Sequence, residues 1–272
     1  MSYVDLHHSL KDWPYEPDKI SVRKILGSDG SVRIQMRVEL GIVQMEAESR
    51  PDGTRPFGSD SLLTYYRKRL AKHEQANGTP LGFALTPQEC NMIRIEASLF
   101  YRRYVAYFVL EEFDNVIKDT AHSLALFDLC RDYALEAEDR ATLEEFRPYV
   151  LMMHARGRAY AALAESEPAS ALAHVNRGVM EIIAQYERLG HPEAAERSDE
   201  LKILRELGRE LNRQVPRDSI LVTRKALRDA IDQERFEEAA RLRDKLDRLY
   251  PNKNLHPDKN LHPNKNLPPN AA

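Results

Sequence analysis

The spacing of hydrophobic and polar positions changes along the chain, and each change marks a new kind of structure. Over residues 32–38 the period is two. Val32, Ile34, Met36 and Val38 fall on one side, and Arg33, Gln35 and Arg37 on the other. That is the alternation of a half-buried strand. A Gly27-Ser28-Asp29-Gly30 link joins this run to the preceding KISVRKIL segment and predicts a β-hairpin. Around Gly41 the phase slips and Ile42, Val43 and Met45 crowd together, which predicts a bulge or a bend. A two-stranded hairpin alone is marginal in water, so it must pack against helices or pair with another chain. The stretch Arg50-Pro51-Asp52-Gly53 through Gly58 is turn chemistry, and Ser59 or Asp60 can cap a helix starting at Leu62.

From residue 59 the period becomes helical. A first helix stops at Asn77-Gly78-Thr79-Pro80. Thr86, Pro87 and Glu89 then supply a cap, a proline at the first helical position and an acid at the third, which opens a second helix running to about Leu110. Further helices are expected over roughly 113–137, from 138 to about Ser166, from Pro168 to Leu189, and from about Glu193 to Leu211. A shift of 55 residues lays Tyr104-Val105-Ala106-Tyr107-Phe108 on Ala159-Tyr160-Ala161-Ala162-Leu163, Val116-Ile117 on Ala171-Leu172, and Thr120 on Val175. Small residues such as Ala106, Ala161, Ala171 and Gly178 sit where helices would approach closely. This helix–turn–helix pattern resembles tetratricopeptide-type stacking, although its period exceeds the usual figure of about 34 residues.

The most specific pattern lies between Ser219 and Tyr250. Leu227, Ala230 and Ile231 form the inner face of one helix, and Gln233-Glu234-Arg235 make a turn. Phe236, Ala239, Ala240, Leu242, Leu246 and Leu249 then recur close to one face of a second helix. Such a hairpin is too small to bury its own apolar face, so it should dock on a partner, on a copy of itself or on the helical body. The run Phe236-Glu237-Glu238-Ala239-Ala240-Arg241-Leu242-Arg243-Asp244-Lys245-Leu246-Asp247-Arg248-Leu249 resembles the UVR motif of the excinuclease subunits UvrB and UvrC, and meets the pattern F-E-x-A-A-x-L-R-D-x-[I/L]-x-x-L throughout. Related modules occur in the Clp-type ATPase ClpC and the kinase activator McsA. The resemblance implies a protein–protein docking element, with Phe236, Glu237, Ala240, Arg243, Asp244 and Leu246 as its partner-binding residues. Arg243 and Asp244 are the motif's charged positions and are expected to bridge helices or partners. Leu40 to Glu46 and the Arg-Pro-Asp-Gly at 50–53 are also similar to the N-terminal block of bacterial UVR-motif proteins, which implies no activity.

Composition narrows the function classes. Charged residues make up 31% of the chain against a usual figure of about 25%, and eleven glycines is a low count for 272 residues. Both favour helices over a glycine-rich nucleotide site. The net charge of −3 lacks the basic excess of a free-standing nucleic-acid binder. Tyr65-Tyr66-Arg67-Lys68-Arg69 and Tyr101-Arg102-Arg103-Tyr104 mix aromatic and basic residues. Neighbours on a helix diverge by about 100°, so the rings should fill the core while the cations reach water. Two cysteines, Cys90 and Cys130, make neither a disulfide framework nor a CxxC site, and both are expected to be buried. His122, His154 and His174 are scattered, Glu111-Glu112 and Glu144-Glu145 read as solvated faces, and no HExxH, GxSxG or P-loop occurs. No catalytic, cofactor-binding or metal-ligating residue is therefore nominated.

The N-terminus lacks the apolar run of a signal peptide, and no apolar run of about 18 residues is present, so a cytoplasmic chain without a membrane span is expected. The expected architecture is mainly α. An N-terminal leader and β-hairpin element occupies 1–58, a repeat-like helical domain 59–215, the UVR-type hairpin 219–250 and a low-complexity tail 251–272. The tail repeats Pro-Asn/Asp-Lys-Asn-Leu-His, with a proline every six residues that forbids a helix. The function expected is that of a non-enzymatic adaptor with a protein partner or a second copy on the hairpin and no cofactor. The alternatives are an excision-repair accessory factor contacting excinuclease subunits or DNA, and a regulator of a Clp-type protease or kinase.

Overall fold

The computed structural model describes residues 6–214 and 217–249. The segment 251–272, expected to lack a fold, lies outside the described residues. After a four-residue helix α1 (His7–Leu10), the chain forms three antiparallel strands, β1 (Val22–Leu26), β2 (Val32–Val38) and β3 (Gly41–Glu46), in the order β1-β2-β3. The mainly helical class with an N-terminal β element therefore holds, and the element has a third strand. The phase slip at Gly41 is a full reversal rather than a bulge. Val38 pairs with Gly41 across the two-residue link Glu39-Leu40, and Arg37 staples the turn by donating to Gly41 O at 2.9 Å and Trp13 O at 2.8 Å. The registers Ile34↔Met45 and Met36↔Val43 put four apolar side chains on one face. That face packs on Ala106, Tyr107 and Val116 of the helical body. The opposite face is a polar ladder in which Arg23 donates to Gln35, and Gln35 to Gln44.

The body comprises α2 (Leu62–Asn77), α3 (Pro87–Val109), α4 (Phe113–Tyr133), α5 (Ala137–Thr142), α6 (Arg147–Ala164), α7 (Pro168–Arg188), α8 (Pro192–Ala195) and α9 (Asp199–Gln214). Ser61, rather than Ser59 or Asp60, caps α2 by accepting from Thr64 N. Thr86 and Glu89 form the expected reciprocal capping box on α3. Two expected helices are divided. The 138–166 segment breaks into α5, a 3-10 turn over Glu144–Phe146, and α6, which carries Pro148 in its first turn. The segment expected from Glu193 to Leu211 breaks into α8 and α9 at Ser198, whose hydroxyl accepts from Leu201 N at 3.3 Å. Packing then runs sequentially: α3 on α4, α4 on α6, α6 on α7 and α7 on α9.

The 55-residue offset is real in the backbone. α3 and α6 end 55 residues apart, at Val109 and Ala164, and α4 and α7 begin 55 apart, at Phe113 and Pro168. The turns between them match bond for bond. Glu111 N donates to Phe108 O and Glu112 N to Tyr107 O. Ser166 N donates to Leu163 O and Glu167 N to Ala162 O. Glu111 and Ser166 both adopt left-handed backbone, at φ 58° and 62°. This is a Schellman turn, which satisfies the last carbonyls of one helix while aiming the next. It occurs again after α7, with Gly190 at φ 77°.

Candidate interaction site

The last hairpin uses the same turn. α10 (Arg217–Asp232) and α11 (Phe236–Leu249) are joined at Glu234, which sits at φ 56°. Glu234 N donates to Ile231 O and Arg235 N to Ala230 O. Within the hairpin, Thr223 and Ala230 are buried on α10, and Ala239 and Leu246 on α11. Each pair is seven residues apart, the spacing that keeps a stripe facing a neighbouring helix. Ala230 and Ala239 flank the turn, where the two backbones must converge. α11 also lies against α7, so the hairpin is seated on the body rather than standing free.

The residues expected to bind a partner divide between two surfaces. Leu246 is buried and Ala240 half-buried, whereas Phe236, Glu237, Arg243 and Asp244 are exposed. Phe236, expected on the inner face, is 69% exposed, and Ile231, also expected there, is 48% exposed. The reason is position. Phe236 is the first residue of α11, and Cα–Cβ bonds tilt toward a helix N-terminus, so its ring projects out past the turn. Arg243 and Asp244 do not bridge the two helices, since the ion pair they make is with each other, at 3.8 Å. At the turn Arg235 pairs with Glu238.

Sequence reasoning missed a set of buried charges in the body. Arg103 grips Asp119 through two hydrogen bonds of 2.7 and 2.8 Å, and both side chains are 2% exposed. Its remaining nitrogen donates to Glu46 O and Ser49 O, which fastens the end of β3 to the α3–α4 pair. Arg103 was expected to reach water, and it is instead the tie between sheet and helices. Glu96, fully buried, accepts from Leu62 N at 2.8 Å, Leu63 N at 3.3 Å, Arg50 at 3.1 Å and His122 at 3.0 Å. It supplies a negative charge to the N-terminus of α2. Glu144 was read as solvated, yet it is buried and accepts from Arg147 and from Gln185 of α7. Burial alone would raise its pKa; the bonds from Arg147 and Gln185 outweigh it and hold the carboxyl below its usual range. A charged letter carries no sign of its burial, so only the pairing partners could have revealed these groups.

Each carboxylate of these networks is held by an arginine: Asp119 by Arg103, Glu96 by Arg50 and Glu144 by Arg147. A cleft of about 620 Å³ lies between β2–β3 and the 48–60 loop, and Arg33 within it is held by Asp29 and Glu46. Cys90 and Cys130 are buried as expected, and burial pushes both thiols up, the opposite of a reactive cysteine. His154 hydrogen-bonds Thr120 at 2.8 Å, and burial lowers its pKa to about 4. Among the described residues no group of three or more His, Cys, Asp or Glu could hold a metal ion, and no helix is long and apolar enough to cross a membrane. Of the aromatic–basic runs, Tyr66 and Tyr104 are core residues and Arg69 is tied to Glu89.

Comparison with known proteins gives one finding. Residues 218–250 match the family model described as the UvrB/uvrC motif, which spans α10, α11 and their turn. No curated protein and no solved structure matches the chain significantly.

Proposed function

We propose that the protein is a non-enzymatic adaptor that docks a protein partner through the α10–α11 hairpin. The observation that carries this reading is the coincidence of the motif match at 218–250 with an apolar pair, Ile231 and Phe236, left exposed at the hairpin's tip. An apolar pair held in water by a rigid turn is the kind of anchor that protein interfaces cover. A protein partner is favoured over DNA because residues 229–238 hold five acids, Asp229, Asp232, Glu234, Glu237 and Glu238, against one base, Arg235. Phosphate backbones select the opposite balance.

The test is a titration of the purified chain against purified UvrB- and UvrC-type excinuclease subunits and against a Clp-type ATPase, in parallel with a truncation ending at Val215. Binding by the full chain that the truncation loses supports the reading and names the partner class. Binding that survives truncation moves the function to the helical body. Salt-sensitive DNA binding with no protein bound replaces the adaptor with the excision-repair alternative.

A further inference from the structure

The four Schellman turns place equivalent residues in different surroundings. Aligned on their left-handed residues, Glu111 and Glu234, the pair Phe108 and Phe113 of the α3–α4 turn corresponds to Ile231 and Phe236 of the α10–α11 turn. Val116, buried, corresponds to Ala239, also buried. In the body the Phe108–Phe113 ledge has an occupant, α6. Tyr160 of α6 stacks on Phe113 with ring centroids 5.2 Å apart and meets Phe108 at 5.7 Å. Arg156, one helical turn earlier, lies 4.2 Å over the Phe108 ring. Gly157 lets α6 come close, since a Cβ there would stand 3.1 Å from Val116 Cγ1. The rim of this ledge is acidic, with Glu111, Glu112 and Asp114. The occupant is thus a helix bearing a cation and an aromatic ring four residues apart, seated on two apolar side chains inside an acidic rim.

The α10–α11 turn repeats the receiving half of that arrangement and leaves it open. Its apolar pair is exposed, with Ile231 in place of the Phe108 ring, and its rim carries Asp229, Asp232, Glu234 and Glu237, with Arg235, in place of Glu112, paired to Glu238. Openness alone does not call for apolar residues here. The α7–α8 turn presents Glu187 and Pro192 at the same two positions, both exposed, so a turn that simply faces water uses other residues.

We propose that the tip of the α10–α11 hairpin is a receptor for a partner helix carrying Arg or Lys one turn before an aromatic residue. This helix would lay its aromatic ring on Phe236, as Tyr160 lies on Phe113, and hold its cation above Ile231 toward the acidic rim. The proposal rests on the docking reading above and adds the chemistry of the partner. A second copy presenting its own tip is disfavoured because two acidic rims would meet.

The probe is a labelled helical peptide on a neutral alanine-rich host carrying one Arg-x-x-x-Tyr pair, titrated into the full-length chain at low salt. Companion peptides carry Glu-x-x-x-Tyr or Arg-x-x-x-Ala. The Arg/Tyr peptide is expected to bind about tenfold more tightly than either companion, and Phe236→Ala to weaken it about tenfold. High salt should weaken it severalfold, as for an ion-assisted contact at a surface. Lys72→Glu, exposed on α2 and outside the hairpin, should leave it unchanged. Equal binding of the three peptides, or indifference to Phe236→Ala, overturns the proposal. So does sedimentation of a full-length dimer that Phe236→Ala dissociates, which would assign the tip to a second copy. Tenfold tighter peptide binding by a chain ending at Leu249 also overturns it, by assigning the tip to the residues that follow. The two readings fail separately. A protein partner lost with Arg243→Glu but kept with Phe236→Ala removes the receptor and leaves docking by the hairpin. A partner kept even by the truncation at Val215 removes both.

Discussion

The α3–α4 and α10–α11 hairpins share one turn and differ in what surrounds it. In the first, a left-handed Glu111 is followed by an aromatic ring that the next helix covers, and a buried Arg103–Asp119 pair ties both helices to the sheet. In the second, a left-handed Glu234 is followed by an aromatic ring in water, and the ion pairs Arg235–Glu238 and Arg243–Asp244 are solvated. The same local device therefore serves stability in one place and offers a surface in the other. The difference lies in what meets the ring, Tyr160 of α6 in the first case and solvent in the second, not in the turn.

The comparison can be broken most directly at its charges. Asp119→Ala leaves Arg103 buried without its carboxylate and should cost about 3–5 kcal/mol, whereas Asp244→Ala should stay within about 0.5 kcal/mol. Chemical denaturation of both variants measures this. A mild Asp119 variant would mean that water or a rearranged side chain satisfies Arg103.

The rings come next. Phe113→Ala should cost about 2–4 kcal/mol because it opens a cavity under Tyr160, while Phe236→Ala should change stability by less than about 0.5 kcal/mol. Equal costs in thermal unfolding would mean that Phe236 is covered in solution.

Acid should act on the body first. Residues 217–249 contain no histidine, whereas His154 is half-buried between α4 and α6 with its pKa lowered to about 4. Between that value and its unfolded pKa of about 6.5 the unfolded chain binds more protons, so stability rises with pH across the window and falls as pH drops through it. The stability lost on acidification through the whole window is on the order of 3–4 kcal/mol, from about 1.4 kcal/mol for each of about 2.5 pH units. His154→Gln should flatten the pH dependence of unfolding over this range. An unchanged slope would assign it to other groups of the body, among them His174, whose pKa burial also lowers.

The smallest effect tests the shared turn itself. A left-handed conformation strains any residue with a Cβ, so Glu111→Gly and Glu234→Gly should each stabilise by about 0.5 kcal/mol after the added chain entropy of glycine. Amide exchange should show the gain across the whole body for Glu111→Gly and within α10–α11 for Glu234→Gly.

Much of this was legible in the chain. The alternation through Val32–Val38 placed β2, Thr86-Pro87-Glu89 placed the start of α3, and the 55-residue offset placed two turns that match bond for bond. The hairpin motif could be read letter by letter because its residues are contiguous. The third strand was hidden because a two-residue reversal and a bulge leave the same slip in phase at Gly41. The divided helices were hidden because α5, the 3-10 turn and α6 share an apolar period across their break.

The sequence by itself determined where helices begin, which residues turn the chain and which 33 residues carry the motif, because capping, turn and periodicity act over a few neighbouring positions. Tertiary structure alone decided which arginines are buried and that Phe236 points into water while Phe113 is covered. Burial and pairing depend on groups brought together from distant parts of the chain. Arg103 looks like any surface arginine until Asp119, Glu46 and Ser49 close around it.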